Sequence, residues 1–316
     1  MKLVSFLTSE GQRPHFGALI AGDTEVLDAC SVGAELPEPA TYGDWFDLAS
    51  ESQRALRELH AALLSDASLL EDLRGRGAIL PRGAVRLTAP VPRPGKVLCI
   101  GLNYRDHAKE GGVEVPEAPL IFSKFPTSVT GPEHEVRLPL ESEKVDYEAE
   151  LGVVIGREAF GVPVGHAREH ILGFTIVNDV SARDFQFGDG QWQRGKSCDT
   201  FAPTGPFIVT TDELADPHSL RISFRLNGET LQDSNTDQMI FGVDELVSYI
   251  SRTITLEPGD VIATGTPPGV GFARKPPIWV RAGDRMEVEI EGLGVLANPV
   301  VVTPVGRDRS GTPRGS

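Results

Sequence analysis

The sequence predicts a strand-rich α+β protein, with a small α+β unit ahead of a larger strand-dominated one. Three observations predict it. From Lys96 onward, apolar runs such as "KVLCIGL", "PLIFSK", "ELGVVIG", "GFTIVND", "PFIVT", "DVIATG" and "DRMEVEIEG" are separated by Gly and Pro, the punctuation of strands and turns. Helical periodicity is scarce there, "GVDELVSYISRT" being the main instance, so the regular strand–helix alternation of a parallel sheet is not expected. Ahead of this region, "KLVSFL" and "FGALIAG" read as strands, followed by a helical stretch from about Tyr42 to Arg74 in which Leu56, Leu59, Leu63 and Leu64 fall near helical spacing.

These readings divide the chain. Residues 1–80 form the small N-terminal α+β domain. Residues 81–95 carry four prolines in "PRGAVRLTAPVPRPGK" and serve as a linker. The main domain is 96–306, and 307–316, within "GRDRSGTPRGS", is a disordered tail. No internal repeat is present.

With 316 residues, 40% hydrophobic and 24% charged, the chain can bury a sizeable core. A formal net charge of -15 and a pI of about 4.9 argue against nucleic acid or an anionic membrane as partner. An anionic substrate would then need a local cluster of Lys and Arg. Cys30, Cys99 and Cys198 are odd in number and far apart, suggesting neither a disulfide framework nor a cysteine-based zinc site. The apolar run at the N-terminus is too short for a signal peptide, and none reaches the roughly 18 residues of a membrane span, so a cytoplasmic protein is expected.

Two motifs are set aside by their surroundings. "GQWQRGKS", 190–197, spells the phosphate loop of nucleotide hydrolases, which needs a buried strand before it and a helix after it. Here "ARDFQFGD" precedes it, and Pro203, Gly205 and Pro206 in "CDTFAPTGPF" forbid a long helix behind it, so no nucleotide is expected. "HAREH", 166–170, matches an inverted zinc-protease pattern, but Gly165 and Gly173 leave little more than one helical turn, which reads as an exposed polar turn.

Three segments carry chemistry. In "EKVDYEAELGVVIG", a period of two puts Glu148 and Glu150 on one face of a strand, with Tyr147, Ala149 and Leu151 on the other. On an inward face such a pair calls for a divalent cation, because like charge and desolvation both oppose ionisation; on an outward face it is merely solvated. In "GFTIVNDVSARDFQ", Asp179 ends an apolar run, where it either completes an all-oxygen site for Mg²⁺ or Mn²⁺ or caps the following turn. In "IGLNYRDHAKEGG", Asn103 is placed to cap a short helix carrying His107 and Glu110, three apart, which make either a carboxylate-assisted base or exposed polar pairs. The glycines at 111 and 112 could let that helix move as a lid.

Together with "SKFPTSVTGP", "GKSCDTFAPTGP" and "LEPGDVIATGTPPGVG", these segments resemble the fumarylacetoacetate hydrolase family, specifically its bacterial two-domain branch, from about Lys96 to Val302. The resemblance implies a mixed β-roll main domain and a homodimer. It implies that Glu148, Glu150 and Asp179 hold Mg²⁺ or Mn²⁺, that His107 and Glu110 form a lid dyad, and that Lys124 and Lys196 contact substrate, with Thr266 lining the pocket. Lys196 is taken with the catalytic pair; Arg183 joins Lys124 in offsetting substrate charge. Some members carry a further Asp ligand before the lid, whereas "GKVLCIGLN" has no carboxylate, so three protein ligands are expected. The implied activity is hydrolysis of a carbon–carbon bond in acylpyruvates, small anionic 2-oxo acids. Decarboxylation of oxaloacetate, isomerisation of an unsaturated 2-oxo diacid and elimination from ureidoglycolate demand a similar site, and "CDTFAPTGPFIVT" and "KPPIWVRAGD" look most like members acting on sugar acids or ureidoglycolate. A non-catalytic binding protein would lack the water-activating pair.

Overall fold

The structure is a computed structural model that describes residues 1–8, 13–34, 36–111 and 114–303. The expected tail at 307–316 lies outside these residues. The fold is a mixed, strand-rich α/β arrangement. Among the described residues twelve strands form one sheet, whose path runs Ile79–Pro81, Glu25–Asp28, His15–Ile20, Lys2–Leu7, Ala202–Thr210, Ile171–Asn178, Ala149–Ile155, Val261–Ala263, Val97–Gly101, Leu120–Lys124. The sheet crosses the 81–95 stretch without a break: Lys2 pairs with Val209, and Arg86–Leu87 pairs back onto Lys2–Leu7.

The central strands lie deepest in the fold. Every residue of Ala149–Ile155 and Ile171–Asn178 is buried, as expected of strands covered on both faces. Phe16, Trp45, Phe46, Leu56 and Ile208 belong to one apolar cluster and Val153, Phe174, Ile176, Phe224 and Leu246 to another. Each fully buried side chain of this size contributes roughly 1.5–3 kcal/mol. A second sheet of five strands, from Glu229–Asn235 to Val136–Leu138, and a two-stranded ribbon of Val145–Asp146 with Ser181–Ala182 complete the strands.

The helical stretch expected from Tyr42 to Arg74 is divided. It contains a 3₁₀ turn at Tyr42–Trp45 and helices at Glu51–Leu63 and Ala67–Gly75. Ser50 accepts the Gln53 N–H and Asp66 accepts those of Ser68 and Leu69, so each polar side chain starts a new helix by satisfying its first donors. No helix among the described residues is long and apolar enough to cross a membrane.

Candidate active site

Antiparallel register builds the floor of the site. Ala149 stands opposite Asn178, and the Asp179 N–H donates to the Glu148 carbonyl at 2.9 Å, so Glu148 and Asp179 face each other just past the strand ends. Two residues on, Glu150 returns to the same face. The three carboxylates are buried, with one oxygen from each lying within 4.8 Å of the others.

Buried basic groups are bound to most of this charge. The Lys196 ammonium donates to Glu148 Oε2 at 2.7 Å and Asp179 Oδ2 at 2.8 Å. Lys124 donates to Asp179 Oδ1 at 2.5 Å and to the Val180 carbonyl at 3.0 Å. Arg183 reaches Glu148 Oε1 at 2.6 Å, Asp146 Oδ2 at 2.9 Å and Gln186 Oε1 at 2.9 Å. Four carboxylates, those of Asp146, Glu148, Glu150 and Asp179, thus meet three cations.

The imbalance falls on Glu150. Its Oε2 accepts the Gly265 N–H at 2.7 Å. Burial, reinforced by the Asp179 and Glu148 charges, pushes its carboxyl well above the ordinary range. Burial would raise Glu148 as well, but the Lys196 and Arg183 charges outweigh it and bring it down to about 2. For Lys196 burial favours the neutral amine, yet Asp179 and Glu148 hold the pKa above its ordinary value. Gly265 is required here: its φ of +103° is disfavoured for other residues, and a Cβ would stand 2.7 Å from that of Asn103. An all-oxygen donor set with surplus negative charge fits a hard divalent cation such as Mg²⁺ or Mn²⁺.

Above the triad lies a cavity of about 250 Å³ whose wall includes His107, Glu148, Glu150, Arg183, Lys196 and Thr266. Of the residues expected from sequence, Lys124 and Asp179 do not line it; both lie behind the wall, and Lys124 is directed at Asp179. Thr266 accepts a hydrogen bond from Gln232 Nε2 at 2.9 Å. His107 sits on the helix Arg105–Gly111, which is anchored by Ser234 donating to Asp106 at 2.6 Å and by Arg105 donating to the Met239 carbonyl at 2.5 Å. The side chain of Glu110 lies outside the described residues.

Asn103 does not cap that helix. It is buried, donates to the Thr264 and Phe241 carbonyls at 2.7 and 3.1 Å and accepts the Phe241 N–H at 2.8 Å, so it cross-links three loops behind the cavity. Asp179 caps no turn with its side chain, which is held by the two lysines. Directly ahead of the phosphate-loop lookalike stands the short helix Arg183–Gly188 and no buried strand, and within it Gln193–Lys196 is a single turn leading into the strand Ala202–Thr210. A Cβ on Gly195 would meet Gln186 N at 2.6 Å and Ala182 O at 2.7 Å, so this glycine serves close packing. His166 in "HAREH" is exposed and bonded to Glu169, its neighbour three residues on.

Sequence reasoning missed Asp146. It receives Arg183 and the N–H groups of Gly271 and Phe272 at 2.7 and 3.1 Å, tying the loop at the mouth to the floor. The signal was present, since Asp146 continues the alternation of Glu148 and Glu150. The aromatic wall of Phe122, Phe187, Trp192 and Phe272 was also missed, and no periodicity marks it.

Comparison with known proteins agrees with this architecture. Residues 96–301 match the family described as fumarylacetoacetate (FAA) hydrolase C-terminal. The chain is 43% identical over 303 residues to the mitochondrial oxaloacetate tautomerases FAHD2A of Bos taurus and Homo sapiens, covering 95% of this chain and 92% of each of those. Among solved structures, 2-hydroxyhepta-2,4-diene-1,7-dioate isomerase from Mycobacterium marinum is 35% identical with a TM-score of 0.73, covering 96% of this chain and 99% of that one. The fumarylacetoacetate hydrolase of Exiguobacterium antarcticum is 35% identical with a TM-score of 0.75, covering 96% and 100%. The protein is an enzyme-family member by both sequence and fold: it belongs to the fumarylacetoacetate hydrolase family.

Proposed function

We propose that this protein is a divalent-cation-dependent enzyme that interconverts the keto and enol forms of a small 2-oxo diacid, with oxaloacetate as the substrate that the site supports best. The observation that carries this reading is one cavity of about 250 Å³ onto which Glu148 and Glu150 of the buried carboxylate triad open together with the His107 imidazole, with Asp179 just behind its wall. That volume is slightly below the usual 300–1,000 Å³ of ligand sites, which suits a four-carbon diacid. The tautomerase relatives, aligned over most of their length, support it.

Glu148, Glu150 and Asp179 would hold Mg²⁺ or Mn²⁺. When bound, the cation supplies electrostatic stabilisation of the charge that develops on the substrate's oxo oxygen. In enolisation the C3–H bond breaks, its electron pair becomes the new C=C bond, and the oxo oxygen takes a proton. His107 takes the C3 proton and returns it in the reverse direction. Lys196, oriented by Glu148 and Asp179, donates toward the oxygen. Arg183 and Thr266 orient the carboxylates, while Phe122 and Trp192 exclude water.

Carbon–carbon hydrolysis of an acylpyruvate is the second reading. It is favoured by His107 on the cavity wall, where an imidazole can take the proton of an attacking water. Purified protein with Mg²⁺ or Mn²⁺, supplied with enol-oxaloacetate, acetylpyruvate and ureidoglycolate, separates these chemistries when ketonisation, pyruvate, carbon dioxide and urea are followed. Ketonisation above the free-metal background, faster than any release of pyruvate, is expected; faster acetylpyruvate cleavage would favour hydrolysis, and no turnover at all would reject both. A homodimer in solution is also proposed, with sedimentation velocity as its test.

A further inference from the structure

A second group of donors lies in the N-terminal part of the sheet. The strands His15–Ile20 and Glu25–Asp28 pair with Gly17 opposite Asp28. Because Gly17 has no side chain, the diagonal neighbour His15 can reach across, and its Nδ1 lies 2.8 Å from Asp28 Oδ2. The chain then turns through Ala29–Ser31, bringing Cys30 back over the same carboxylate. Its N–H donates to Asp28 Oδ1 at 3.1 Å, and the Ser31 hydroxyl donates to Oδ2 at 2.7 Å.

One nitrogen, one oxygen and one sulfur atom, from His15, Asp28 and Cys30, lie within 4.8 Å of one another. Donors on one tetrahedral zinc ion, with bonds of about 2.0–2.3 Å, stand roughly 3–4 Å apart, so small side-chain rotations bring all three to one ion. Asp28 is buried, His15 half-buried and Cys30 exposed, which leaves an approach from solvent on the thiol side. The Cys30 N–H and the Ser31 hydroxyl orient the carboxylate as outer groups orient metal ligands.

We propose that His15, Asp28 and Cys30 form a second metal site, taking Zn²⁺ or a similar borderline ion with water in the fourth position. Its donors set it apart from the catalytic triad: imidazole and thiolate select zinc-like ions, whereas Glu148, Glu150 and Asp179 offer only oxygen. The bound ion would clamp the Ala29–Ser31 turn to the strand His15–Ile20. Cysteine spacing could not show such a site, because it uses one cysteine and draws its other ligands from the fold.

Cobalt reports on this site separately from the catalytic one, since only a thiolate ligand gives a near-ultraviolet sulfur-to-cobalt charge-transfer band. Titration of the full chain with Co²⁺ should give that band, and Zn²⁺ should displace it. It should persist in Glu150→Gln, Cys99→Ala and Cys198→Ala and vanish in Cys30→Ser, a surface change that leaves packing intact. Loss of the His15 ligand in His15→Ala should weaken binding by more than about 100-fold, and Ser31→Ala, which removes only an orienting bond, by about tenfold. Absence of the band in the parent protein, or a band unchanged in Cys30→Ser, would overturn the proposal.

Discussion

The floor of the candidate active-site cavity and its mouth are held in different ways. Glu150 lies within, and Glu148 and Asp179 directly flank, two fully buried strands whose register fixes all three. The mouth is made by Arg105–Gly111, Arg183–Gly188 and Gln193–Lys196, short helices attached by side-chain bonds such as those donated by Ser234 to Asp106 and by Ser123 to Gln193. At the floor, charge and stability are therefore coupled, because each buried carboxylate is part of the packing. At the mouth, a side chain other than the floor-bound Arg183 and Lys196 can change turnover with little effect on folding.

The largest effect should come from breaking the floor. Asp179→Asn leaves Lys124 and Lys196 each short of a buried charge partner, and loss of one member of such a pair costs about 3–5 kcal/mol. Chemical denaturation of the metal-free protein should show this loss. A stability within 1 kcal/mol of the parent would mean that the floor is not bound together by its charges.

At the mouth, His107→Ala should lower ketonisation turnover by about 10²–10⁴-fold, the range for a general base, while denaturation midpoint and Mn²⁺ affinity stay near those of the parent. A matching fall in metal affinity would move His107 from the mouth to the floor.

The pH dependence of the metal site sharpens the same contrast. Because the Glu150 carboxyl is raised in the folded protein, its contribution to stability is full below the unfolded value and is lost as pH rises through the folded one. The metal-free protein should therefore lose stability over that interval, and added Mg²⁺ should restore it. Metal affinity runs the opposite way: it should be greatest above the Glu150 pKa and fall as pH drops through it, by about tenfold per unit, as binding comes to release one proton. Calorimetric titration in buffers of different ionisation enthalpy measures that proton.

The smallest effect belongs to the rim. Phe272 is partly exposed, and its ring lies 4.5 Å from the Arg183 guanidinium. Such contacts are worth about 0.5–1 kcal/mol, so Phe272→Ala should raise KM by a few-fold and leave kcat almost unchanged. A large fall in kcat instead would show that the Phe272–Arg183 contact orients the reacting groups.

The same contrast explains how much could be read from the sequence. The floor was readable because strands alternate: "EAE" in an apolar run announces two acids on one face, and an acid closing "GFTIVND" announces a third. The strand-rich class followed from apolar runs separated by Gly and Pro, with little helical periodicity between them. Most of the mouth was not readable. "RDFQFG" spans less than two helical turns, too few to show periodicity, and Arg183–Gly188 is held by contacts that only the fold creates. Asn103 was read as a local cap because Asn favours that task, but tertiary partners 138 and 161 residues away claim its amide. Lys124 was expected among the substrate contacts, and strand register instead turns it toward Asp179, behind the cavity wall.

The most direct test of the central claim is the exchange of oxaloacetate C3 hydrogens for deuterium in D₂O, followed by NMR for the parent protein and for Glu150→Gln. The account predicts exchange faster than the free-metal background for the parent with Mg²⁺ or Mn²⁺. Removal of the cation with chelator, or of its ligand charge by Glu150→Gln, should return the rate to background. Exchange that is equally fast in the Glu150→Gln variant, or a parent protein that cleaves acetylpyruvate while leaving the C3 hydrogens at the background rate, would contradict it.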